Sequence, residues 1–116
     1  MSYDLSKLYS QIDQKLMDSQ VELEGAIKAY GQACDVYADA FVAYRTAKAE
    51  AIKRLKGEGA AISIAVELAQ GETAQLKGEL LKAEGNRRRV EKMIDAYELR
   101  INSFKFIGKD RAGVTK

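Results

Sequence analysis

Apolar residues recur along this chain at alternating steps of four and three, the spacing of one helix face that packs against another. Leu5, Leu8, Ile12 and Leu16 predict a first short helix over 4–17, with Ser2 or Asp4 as its N-cap. The stripe loses register at Asp18-Ser19-Gln20, and Ser19 with Glu22 forms a capping-box pattern. A new helix therefore starts near 20; a kinked continuous helix is the alternative. The second helix, 20–57, carries Leu23, Ile27, Tyr30, Cys34, Tyr37, Phe41, Tyr44, Lys48, Ala51 and Leu55 on its stripe. Lys56-Gly57-Glu58-Gly59 ends it. The apolar stretch 60–70, bounded by Gly59 and Gly71, predicts a short buried helix with Ile62, Val66 and Ala69 inward. A strand there has nothing to pair with. The last helix, 72–107, carries Leu76, Leu80, Ala83, Arg87, Val90, Ile94, Tyr97, Ile101 and Phe104, and Gly108 ends it.

The two long stripes fit each other when the chain folds back over 57–71. Leu55 then meets Leu76, Lys48 meets Ala83, Tyr44 meets Arg87, and Ile27 meets Phe104. The expected fold is all-α: a long antiparallel helical hairpin, coiled-coil-like, with a short N-terminal helix and a short helix in the connection. Residues 1–108 form a single helical domain and 109–116 a flexible basic tail. Each arm is about 45–55 Å long at about 1.5 Å per residue. Two helices bury little core, so a homodimer or higher homo-oligomer is expected, most simply with two-fold symmetry.

Composition narrows the chemistry. The 116 residues contain no Pro, which suits long uninterrupted helices. They contain no His and a single Cys, Cys34. That excludes His-based catalysis, a Cys/His zinc site within one chain and an internal disulfide. Gly57-Glu58-Gly59 has Ile62 where a dinucleotide loop needs its third Gly, and a P-loop is absent. No paired carboxylates converge, so the expectation is a non-enzyme without cofactor or metal. No apolar run approaches the roughly 20 residues that span a bilayer, and the N-terminus does not read as a secretory signal. These read against a membrane protein. Net charge is only +2, although residues 59–116 carry 11 basic against 8 acidic side chains.

Two groups of residues are candidates for binding. Tyr30, Tyr37 and Tyr44 stand seven apart on one helix face and, with Lys48 and Arg87, could form an aromatic and basic ligand or partner face. Core packing accounts for the same tyrosines, with hydroxyls at the rim, and snorkelling for the same cations. Arg88, Arg89, Lys92, Lys105 and Lys109 are candidate phosphate contacts, Arg87 completing the run of three. Intrahelical pairing with Glu84, Glu91 and Asp95 explains much of that pattern. Gly78 and Gly85, seven apart and opposite the seam, would let a partner helix approach. Cys34 reads as a small buried hydrophobe.

Leu55-Lys56-Gly57-Glu58-Gly59, Ile64, Leu68-Ala69-Gln70-Gly71-Glu72 and the helix through Leu76, Lys77, Ala83, Glu84 and Ile94 resemble a group of small helical accessory proteins of tailed bacteriophages and prophages. The resemblance covers residues 45–107. It implies an accessory protein in the cytoplasm of a bacterial host cell and brings no catalytic residues. Three functions follow as expectations. The first is an oligomeric interaction module that binds and modulates a bacterial host protein, including in anti-defence. The second is a nucleic-acid-binding accessory of recombination or replication. The third is a sponge that sequesters an immune signalling nucleotide.

Overall fold

A computed structural model describes the backbone of residues 5–114 and the side chains of residues 6–108. The fold is an all-α antiparallel helical hairpin with a short helix in its connection. Helix α1 spans Leu5–Gly57, α2 Ile62–Glu72 and α3 Ala74–Val114. There is no strand among the described residues.

The separate N-terminal helix expected over 4–17 is not formed; α1 runs through it without a break. Ser19 is the reason. A polar residue looks like an interruption of an apolar stripe, yet Ser19 is buried at the small position between Leu16 and Leu23. Glu22 does not cap it. Its carboxylate accepts from Arg100 of α3 at 3.4 Å. The N-caps proposed at Ser2 and Asp4 lie outside the described residues.

Gly108 does not end α3, whose helical backbone continues to Val114. One Gly inside a helix costs about 1 kcal/mol, which is not a stop. A Gly stop needs the left-handed conformation, and among the described residues only Gly59 adopts it, at φ 96°. There the Ala60 N–H donates to the Leu55 carbonyl at 3.1 Å and the Gly59 N–H to the Lys56 carbonyl at 3.0 Å. This is the paired cap of a Schellman motif, and Ala60 packs on the cluster containing Leu55, as such a cap favours.

The chain divides into two compact units, one of Gly31–Arg89 and one of Met1–Tyr30 with Val90–Lys116. In the first, α2 packs on the last two turns of α1. Ala65 and Ala69 are fully buried against Ala51 and Leu55, with Ile52 and Ala60 at the edge. Of the inner face expected for α2, Ala69 is buried and Val66 half-buried, but Ile62 is 62% exposed. Methyl side chains let the two backbones approach closely, so the bulkier Ile62, Ile64 and Leu68 stay outside. Arg54 of α1 donates to both carboxylate oxygens of Glu72, at 2.6 Å to Oε1, and reaches Glu58 at 3.3 Å. The hydrogen bond to Glu72, and then its charge, raise the Arg54 pKa above its ordinary value. A single residue, Thr73, separates α2 from α3. Its N–H and its hydroxyl both donate to the Ala69 carbonyl, at 3.0 and 2.7 Å.

This connection corrects the register. The chain reverses over residues 58–61, not over 57–71, because α2 is already the start of the returning arm. Arg87 therefore lies over Tyr37, one heptad before the expected Tyr44, and Lys77 lies over Tyr44. The seam of α1 is corrected too. Tyr37, Tyr44, Ala51 and Leu55 are buried or half-buried in this unit, as expected. Its alternate positions lean one residue toward the small side chain: Ala33 is buried beside a half-buried Cys34, Ala40 is half-buried beside an exposed Phe41, and Ala47 and Lys48 are both half-buried. In the other unit the same shift buries Ala26 and leaves Ile27 53% exposed. Tyr residues fill the seam only if the positions between them are small. The stripe expected for α3 is buried or half-buried throughout.

Candidate functional site

The unit of Gly31–Arg89 brings aromatic rings and cations together beside the seam. At about 100° per residue, Tyr37, Phe41, Tyr44, Arg45 and Lys48 of α1 fall within about one third of the helix circumference. Tyr37 and Tyr44 sit at the seam's edge, half-buried. Phe41 and Arg45 are exposed beside them, and Lys48 is half-buried. The rings of Tyr37 and Phe41 are 6.2 Å apart and inclined by 31°. Each ring carries a cation. The Arg87 guanidinium is 4.3 Å from the Tyr37 centroid, and Arg45 is 5.4 Å from Phe41. Tyr44 takes two lysines, Lys48 at 5.7 Å and Lys77 at 5.0 Å.

Of the five candidates for a ligand face, four meet in this strip: Tyr37, Tyr44, Lys48 and Arg87. Tyr30 belongs to the other unit, where it is half-buried. Arg45 and Lys77 were missed. Both flank the seam, and only the correct register places Lys77 at Tyr44. Arg87 is the least available cation, since its Nε is buried without a hydrogen-bond acceptor.

The phosphate-contact candidates do not assemble. Consecutive helical positions point about 100° apart, so the three arginines diverge. Arg87 turns onto Tyr37. Arg88 pairs with Glu84 at 2.7 Å, one turn back rather than forward to Glu91. Arg89 donates to Asn86 at 2.6 Å. Lys92 and Lys105 are exposed in the other unit. The Lys109 side chain lies outside the described residues. A Cβ at Gly78 or Gly85 would meet nothing of this chain within 4 Å. Cys34 is half-buried rather than buried.

Two clefts border the strip. One, of about 430 Å³, is lined by Tyr44, Lys48, Gln70, Ala74 and Lys77. The other, of about 360 Å³, is lined by Tyr44, Arg45, Lys48, Ala49 and Ile52. A further cleft of about 370 Å³ in the unit of Met1–Tyr30 and Val90–Lys116 is walled by Lys15, Asp18, Glu22 and Arg100, where Arg100 is held by Glu22. Among the described residues no group of three His, Cys, Asp or Glu is placed to hold a metal ion, and no helix is long and apolar enough to cross a membrane. Family models, curated proteins and solved structures contain no match to this chain.

Proposed function

We propose that the chain is a non-enzymatic helical interaction module that assembles with copies of itself and presents the assembly to a protein partner. One observation carries this reading: the hairpin is underfilled. Among the described residues, six of the ten buried hydrophobic ones are Ala, and no large side chain is fully buried. A methyl group contributes about 0.8 kcal/mol on burial, against about 1.5–3 for Leu or Ile. Meanwhile fourteen large hydrophobic residues among those described stand exposed, Ile64 and Leu68 of α2 among them, one turn apart. A second copy is the simplest cover for such surface. The resemblance of residues 45–107 to phage accessory proteins supports a bacterial cell as the setting and a host protein as the partner.

Light scattering on the size-fractionated protein tests the assembly. The expected mass is at least twice the 12.8 kDa of one chain. Ile64→Lys with Leu68→Lys should lower it and, because association supports folding, lower the melting temperature with it. A mass of one chain at all concentrations tested would refute self-assembly.

A further inference from the structure

We propose that the strip from Tyr37 to Lys48 of α1, together with Lys77, binds single-stranded nucleic acid. This goes beyond the assembly proposed above and does not depend on it.

Charge pairing is the first argument. Arg54, Arg88 and Arg100 each hold a carboxylate. Arg45, Lys48 and Lys77 form no ion pair among the described residues, and each lies within 6 Å of a ring centroid instead. Three cations without counterions on one short surface create a positive potential that phosphates would neutralise. A cation over a ring that borders solvent is held weakly, by about 0.5–1 kcal/mol. A flexible lysine can leave the ring for a phosphate at little cost and uncover a face on which a base stacks.

Shape is the second. Tyr44 and Lys48 line both clefts, so a base beside the Tyr44 ring has space to enter. Gln70 lines the larger one and supplies an amide that can both donate to and accept from a base edge. From Tyr37 to Lys48 the helix rises about 16 Å, the length of about five stacked nucleotides at about 3.4 Å each. A duplex keeps its bases stacked on one another and offers none to Tyr44. A lone nucleotide would leave one cleft and at least one of the cations unused. An unpaired strand uses them all.

The test is fluorescence anisotropy with the full chain and a labelled oligothymidylate of about twelve nucleotides, at about 50 and 200 mM salt. Binding should weaken steeply with salt. Replacing Arg45, Lys48 and Lys77 together by Ala should weaken it about tenfold or more and reduce the log–log salt slope by about 2. The matched triple Arg88→Ala, Lys92→Ala, Lys105→Ala should stay within about twofold of the parent. Tyr44→Leu should cost about tenfold, and Tyr44→Phe should keep the affinity, because stacking needs the ring and not the hydroxyl. Photocrosslinking of a bromodeoxyuridine strand to the unaltered chain needs no variant and should label residues within 37–48 or 70–77. The proposal fails if the strand does not bind at the lower salt, or if both triples weaken it equally. It fails as well if crosslinks fall elsewhere, or if a duplex or thymidine monophosphate binds as tightly as the strand.

Discussion

Arg87 occupies a seam position where every neighbouring repeat offers an apolar or small side chain. Its guanidinium lies over Tyr37, which compensates part of its desolvation. Its Nε is buried without an acceptor, and an unsatisfied buried donor costs about 1–3 kcal/mol. Arg87→Met keeps the stem's packing and removes the orphaned donor, so stability in urea should be unchanged or rise by up to about 1 kcal/mol. Arg87→Ala also loses the stem, and should destabilise by about 1–2 kcal/mol. If Met destabilises the protein as well, the ring contact outweighs the orphaned donor. From the chain alone Arg87 stood out as a charge in a seam, but its ring partner was displaced by one heptad. A heptad stripe repeats every seven residues and so matches its partner equally well after a slip of one repeat. The connection breaks that degeneracy, and its geometry rests on one left-handed glycine, Gly59.

At the scale of the elements, legibility depended on side-chain size. The α3 stripe alternates clearly with polar residues and was readable throughout. On α1 the eye follows Ile27, Cys34 and Phe41, while the chain buries Ala26 and Ala33. Hydrophobicity ranks the former higher; close approach favours the latter. Ser19 misled in the same way, since smallness and not polarity decides that position. The same preference governs α2, whose Ala65 and Ala69 are fully buried against α1. Ala69→Leu adds a bulky side chain to a contact with no free space, and should destabilise by about 1–3 kcal/mol in urea denaturation. Faster amide exchange in α2 than in α3 would locate the damage. If Leu stabilises the protein instead, α2 is more loosely docked than its burial indicates. The ligand strip was half legible for a related reason. The tyrosines announced themselves by their seven-residue spacing, whereas Arg45 and Lys77 lie one residue off the stripes and acquire meaning only beside Tyr44.

For the whole molecule, the question is what sustains helices of 53 and 41 residues on a core dominated by alanine. Helix propensity contributes a few tenths of a kcal/mol per residue at best, and interior glycines subtract from it. Most helical stability in proteins comes from burial of one face against another. Here much of the apolar surface that could provide it, from Val36 and Val42 of α1 to Leu81 of α3, is turned outward. If a second copy covers it, folding and association are one equilibrium, and stability becomes a function of protein concentration. A tenfold dilution then removes about 1.4 kcal/mol per dimer. With the unfolding entropy of two chains this size, the melting temperature should fall by about 3–5 °C for each tenfold dilution. The measurement is thermal unfolding followed by circular dichroism over a hundredfold concentration range. A melting temperature independent of concentration would mean that the alanine-based hairpin is self-sufficient. In that case its exposed apolar residues would be reserved for a different protein, and Ile64→Lys with Leu68→Lys would leave the melting temperature unchanged.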